Sequence, residues 1–126
     1  MLATRILKSG LSPGGKTHDA YVNHYISHFK NVKHQTELER GLNLVFADDW
    51  VPSIPLVTEA LLASRRLNCF ATANRILVAL EHKIDNQKSW LLHLKDLDPI
   101  VKQLGLVTEK EMGSFEVVRC KSRWWY

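Results

Sequence analysis

Cysteine is nearly missing from this chain, with two in 126 residues, Cys69 and Cys120. A small secreted domain held by disulfides carries more of them at closer intervals, so that class is excluded. Both are expected to be free thiols in a reducing compartment, Cys69 as a small buried apolar residue at a helix start. Long apolar runs are missing as well. None approaches the ~20 residues that a membrane-crossing helix needs. Clean alternation of apolar and polar residues is missing too. The best strand candidate, "FEVV" around Phe115, is too short to carry a sheet. Without strands, no glycine-rich loop can follow one to cradle a phosphate, and Gly14-Gly15 are expected to be linker.

Acid is missing from both ends. Arg5, Lys8 and Lys16 precede the first acid, Asp19, and Arg119, Lys121 and Arg123 follow the last, Glu116. Of the 17 Lys/Arg, these six leave 11 in residues 19–116, against all 13 Asp/Glu. The net charge of +4 therefore belongs to the ends, and the body is slightly acidic. A nucleic-acid-binding body places its basic residues on a surface that tracks phosphates.

What is present is one helical pattern after another. Val22, Tyr25, Ile26 and Phe29 recur at helical spacing. Leu38, Leu42, Val45 and Phe46 do so after Thr36, which with Glu39 makes a capping-box pattern. Gly41 lies on the apolar side of that helix, where another helix is expected to come close. "ADDWVPSIP" breaks the pattern. Ser53 is expected to cap a third helix with Pro55 in its first turn. Val57, Ala60, Leu61 and Ser64 lie on one side of that helix. Asn68 is expected to cap the fourth, with Phe70, Ala73, Ile76, Leu77 and Leu80 inward. The fifth runs over 87–104 with Trp90, Leu91, Leu94, Leu97, Val101 and Leu104. A kink or break is expected near 95–99, because Pro99 removes a backbone bond. Gly105 ends the helix, and Thr108 with Glu111 starts a last turn.

Starts near 19, 36, 54, 69 and 87 give short loops and a period near 34 residues between the third and fifth helices. The expected fold is all-α, a short right-handed array of antiparallel helix hairpins. Small residues in the central hairpin (Ala60, Ala63, Ser64, Ala71, Ala73) let helix axes approach. A globular five-helix bundle is the alternative. The expected organisation is 1–17 an arm, 18–113 the helical domain and 114–126 a basic, aromatic extension. The arm mixes Leu2, Ile6 and Leu7 with Arg5, Lys8 and hydroxyls, the composition of a mitochondrial presequence. A polar arm closed by a Ser-Pro-Gly-Gly linker fits the same residues.

Candidate chemistry is thin. His24 and His28 stand four apart, a spacing that can grip zinc, but they fall opposite the apolar stripe with no third ligand at a natural spacing. His82 and His93 are isolated, and all four are expected on solvated faces. Asp48-Asp49 and Asp96/Asp98 are expected to be solvated carboxylates, with nothing in the pattern to separate their pKa values. No serine or cysteine sits in a nucleophile motif. No catalytic residue, metal site or cofactor site is assigned. Arg65 and Arg66 occupy the last turn of the third helix, where cations oppose the negative helix end. At most one is expected to be buried, leaving the other to grip a neighbouring carboxylate. The tail "VVRCKSRWWY" offers Trp124, Trp125 and Tyr126 to a membrane interface, to a partner groove or to the array itself.

The stretch "ELERGLNLVFADDWVPSIPLVTEALLASRRLNCFATANRILVALEHK", residues 37–83, resembles subunit Va (5A) of mitochondrial cytochrome c oxidase. "RGLNLV" precedes an acidic turn, "VP" opens a helix, and "RRLN.FA" and "RIL" follow in order. "LDPIVKQLGLVTEKEMG", residues 97–113, continues the resemblance, and "HDAYVNHYISHF" matches more loosely. The resemblance implies an all-helical accessory subunit with no active site, haem or copper. It implies a place on the matrix side of the inner membrane, peripheral to it through the complex, against subunit IV and the catalytic core. It also strengthens the presequence reading of 1–17. Arg65, Arg66 and Asn68 mark the hairpin that carries it. Cys69 stands where an acidic residue is expected, and 114–126 extends past the family's usual end. The competing expectation is a small organellar helical-repeat RNA-binding protein, which the 34-residue period and basic pI suit and the acidic body does not.

Overall fold

The computed structural model describes residues 18–113. They form six helices: α1 (His18–Asn31), α2 (Gln35–Ala47), α3 (Ile54–Arg66), α4 (Phe70–Lys83), α5 (Gln87–Leu104) and α6 (Glu109–Met112). No strand occurs among the described residues. The arm 1–17 and the extension 114–126, with Trp124, Trp125 and Tyr126, lie outside them.

The architecture follows from α3. It packs against α1, α2, α4 and α5, while α1 also packs on α2. A helix with neighbours all round must be small and apolar on most sides, and α3 is. Leu56, Val57, Ala60, Leu61, Ala63 and Ser64 are all buried. Ser64 satisfies its hydroxyl by donating to the Ala60 carbonyl at 2.9 Å, so it sits in the core without an orphaned polar atom. Around it close Phe29 and Val32 with α1, Leu38, Leu42 and Val45 from α2, Ala73, Ile76, Leu77 and Leu80 from α4, and Trp90, Leu97 and Val101 from α5. Ala71, expected with the small residues of the hairpin, is exposed.

Among the described residues Gly41 is the one glycine that close packing demands. A Cβ there would lie 2.8 Å from His28 Nε2 and 3.0 Å from Phe29 Cε1. The close approach expected at this position is therefore that of α1. It also corrects the expectation for His28, which is half-buried against α2 and not on a solvated face.

Several helix ends differ from the sequence pattern. The Thr36–Glu39 box does not form, because α2 begins at Gln35 with His34 as its cap residue. Glu37 then occupies the third helical position and accepts from the Lys33 amide at 3.3 Å, while Glu39 is held by Gln35 at 2.8 Å. Ser53 is the cap residue of α3, but its hydroxyl is buried without a bond to the helix. Asn68 does not cap α4. Cys69 occupies that position, and Asn68 takes a left-handed φ of 60° in the tight turn between α3 and α4. Asparagine tolerates that region better than most residues. Its amide donates to the Arg65 carbonyl at 3.1 Å and that of Cys69 to Ser64 at 2.8 Å, which closes α3. Cys69 is half-buried, not buried. Pro99 does not break α5, which is continuous. The ring is exposed, so the carbonyl it frees at Lys95 can be hydrated. Gly105 caps α5 in the left-handed region, and Thr108 with Glu111 forms the capping box of α6.

Candidate docking surface

The polar chemistry of the body is concentrated at helix ends. Arg66, the last residue of α3, does not grip a carboxylate. Its Nη2 donates to the carbonyls of Phe29 and Val32, both at 2.9 Å. These belong to the C-terminal end of α1, where unsatisfied carbonyls and the negative end of the helix dipole favour a cation. Arg66 therefore caps a neighbouring helix and fastens the ends of α1 and α3 together.

Lys83 repeats the device. As the last residue of α4 it donates to the carbonyl of Phe46 at 2.5 Å and to that of Asp48, at the end of α2. The separations match: Phe29 to Arg66 is 37 residues, and so is Phe46 to Lys83. Each cation caps the helix two places before its own. Sequence reasoning missed Lys83. The signal was a phenylalanine near one helix end and a cation 37 residues on, repeated after 17 residues.

Asp48 is also drawn in. It was expected to be a solvated carboxylate with Asp49. Asp49 is exposed, but Asp48 is half-buried and accepts from the Tyr21 hydroxyl. Beside them Trp50 stacks on Tyr21 with ring centroids 5.7 Å apart, and His18 lies 4.4 Å from Trp50. The segment after α2 is thus folded back over the start of α1. Burial, then the hydrogen bond and negative charge of Asp48, push the Tyr21 phenol well above its ordinary value of 10.0. Burial and the same carboxylate raise Tyr25.

The sign of the resulting pH dependence is fixed. In the unfolded chain both phenols ionise near 10, while the folded state holds their protons. Stability is therefore undiminished by these groups below pH 10 and falls as pH rises past it. In an absorbance titration of the native chain Tyr21 and Tyr25 are expected to ionise later than a free phenol. Tyr21→Phe should remove the later step and cost about 1.5–3 kcal/mol in denaturant unfolding, the range for a bond to a charged acceptor. Two phenols titrating together near 10 in the folded protein would contradict this.

The remaining sites are surfaces. Beneath the α3–α4 turn lies a half-open cleft of about 240 Å³, bordered by Arg65, Asn68, Cys69, Phe70 and Gln103. Arg65 is exposed, and Phe70, expected inward, is 55% exposed at its rim. Of the three residues singled out in the hairpin, Arg65 and Asn68 border this cleft, and Arg66 turns toward α1. His24 and His82 are exposed. His93 is half-buried with Nδ1 2.8 Å from the Ser89 carbonyl, which corrects the solvated placement. Among the described residues no three His, Cys, Asp or Glu side chains group so as to hold a metal ion. Among the same residues no helix is long and apolar enough to cross a membrane.

These features define a small all-α protein in which Arg66, Lys83 and Asp48 join its own helix ends and whose free surface is clefts and helix faces. Comparison with known proteins gives the family. The model for cytochrome c oxidase subunit Va matches residues 15–114. Cytochrome c oxidase subunit 6, mitochondrial, of Neurospora crassa is 33% identical over 97 residues, 77% of this chain and 66% of that protein. The protein of that name from Saccharomyces cerevisiae is 30% identical over 118 residues, 87% of this chain and 80% of its own length. Cytochrome c oxidase subunit 5A, mitochondrial, of Rattus norvegicus is 37% identical over 78 residues, 61% of this chain and 53% of that protein. The chain belongs to the cytochrome c oxidase subunit Va family.

Proposed function

We propose that this chain is a non-catalytic accessory subunit of mitochondrial cytochrome c oxidase. In this reading it is peripheral to the inner membrane on the matrix side, seated on subunit IV and the catalytic core, and it binds no cofactor itself. The family match over residues 15–114, which spans the whole helical body, carries the reading. A prefolded surface that binds the assembled complex stabilises it by mass action and adds no step to electron transfer. Arg65 and Asn68, exposed at the α3–α4 turn beside the cleft, are the contact residues of the body. Arg66 supports them by holding the end of α3 in place, and its outer edge is available to the same partner. Trp124, Trp125 and Tyr126 supply aromatic contacts from the extension. Residues 1–17 act as the mitochondrial address.

The test is purification of the tagged full chain from detergent-solubilised mitochondria. Haem a absorbance is expected to follow the tag through a native gel. In mitochondria stripped of the outer membrane, the chain should resist added protease until the inner membrane is opened. A tag that separates from haem a, or that retains RNA with a steep salt dependence, would replace this reading with the RNA-binding one.

A further inference from the structure

We infer that the solvent face of α5 is a second docking surface, and that an acidic helix of another subunit occupies it through Leu91, Leu92 and the unpaired Lys88 and Lys95. The inference rests on the subunit reading above and adds where, and to what chemistry, the chain attaches.

The face is defined by the helical repeat. At about 100° per residue, Trp90, Leu97 and Val101 form the buried stripe of α5. The opposite arc holds Lys88, Leu91, Leu92, Lys95, Pro99 and Lys102, with Gln103 and Asp96 beyond Leu92, and every one of them is exposed. Leu91 was expected in the core, yet it is 49% exposed, and Leu92 is 61% exposed. Single exposed leucines need no explanation. Two adjacent ones on a face shared with a proline ring and three lysines form a patch.

The charge on this arc runs against the rest of the body. Residues 19–116 hold more acid than base, yet three lysines cluster on it, with the exposed Asp96 at the border beyond Leu92. Asp98 lies at its edge and pairs with Lys102 at 2.6 Å. Lys88 and Lys95 have no ion pair among the described residues. They sit one heptad apart, about 10 Å along the axis.

The order of residues across the arc decides between a membrane and a protein. Lys102, Lys95 and Lys88 run down its middle, with Leu91 on one side and Pro99 and Leu92 on the other. A helix lying in a bilayer interface has its apolar residues central and its lysines at the flanks. Here a central lysine ridge would hold both leucines off the hydrocarbon. A partner helix accepts such a ridge into the groove between its own side-chain rows. Carboxylates seven residues apart in that groove would meet Lys88 and Lys95, and apolar residues beside them would cover Leu91 and Leu92.

The experiment places a photo-crosslinking amino acid at position 92 of the tagged full chain in mitochondria, with a second chain probed at the exposed Thr36. From position 92 we expect a crosslink to one oxidase subunit, mapping to a helix with acids seven residues apart. Lys88→Glu with Lys95→Glu should lower the chain retained on the haem a complex at raised salt at least tenfold, with helical content and melting unchanged. Reversing the two mapped acids to lysine should restore retention. Co-purification with haem a without a protein crosslink from position 92 would overturn the α5 surface and leave the subunit reading standing. A crosslink to lipid, or full retention of the double lysine variant, would do the same. A chain that does not co-purify with haem a overturns both.

Discussion

Replacing Leu61 by alanine is expected to lower the free energy of unfolding by about 3–4 kcal/mol, the usual range for a leucine lost from a packed interior. Leu61 is fully buried on α3, the helix against which α1, α2, α4 and α5 all pack. Collapse into the space left would have to move several helices at once, so most of the cavity should persist. For a domain of this size a loss of 1 kcal/mol lowers the melting temperature by about 4–8 °C, so a fall of at least about 12 °C should be read by thermal denaturation. Leu92→Ala is the control, because its side chain already lies in water in the free chain, and it should change unfolding by less than about 0.5 kcal/mol. Similar losses for the two variants would mean that α3 is not the centre of the core.

The second large effect concerns the helix-end fastenings. Arg66→Ala removes two charge-assisted bonds to the end of α1, and Lys83→Ala removes two to the end of α2. Net values for bonds to charged groups run to about 1.5–3 kcal/mol, and these side chains are only partly shielded from water. About 1.5 kcal/mol for each substitution is therefore expected. The two fastenings share no residue, so the losses should add to about 3 kcal/mol in the double variant. Denaturant unfolding of both single variants and the double one measures this. Losses below about 0.5 kcal/mol for each would show that water serves those carbonyls equally well.

The helices were legible because their signal is local. Apolar spacing, Gly105 and the Thr108–Glu111 pair announced α1 to α6 within a residue or two of where they lie. The start of α2 was misread because Thr36 and Glu39 fit a capping pattern as well as Glu37 does, and only the chain path fixes which acid reaches a free amide. Asn68 was misassigned for a related reason. The residue types that cap a helix also tolerate a left-handed turn. Phe70 and Leu91 follow the periodicity yet face water, because periodicity defines a stripe and not its width. The surface was least legible. Arg66 was singled out, but the carbonyls it meets lie 34 and 37 residues away and carry no sequence mark of their own. Family membership was readable in advance because "RRLN.FA" encodes one tight turn and its flanks together.

The matched 37-residue separations have a consequence for how the chain tolerates damage. Each brace links next-but-one helices, and the two interleave without sharing a member. Trimming the chain back past Val32 would remove both carbonyls that Arg66 grips and leave those that Lys83 grips in place. Frayed ends should therefore melt inward by stages, and a cut loop between α1 and α2 would leave both halves still clasped to the remainder.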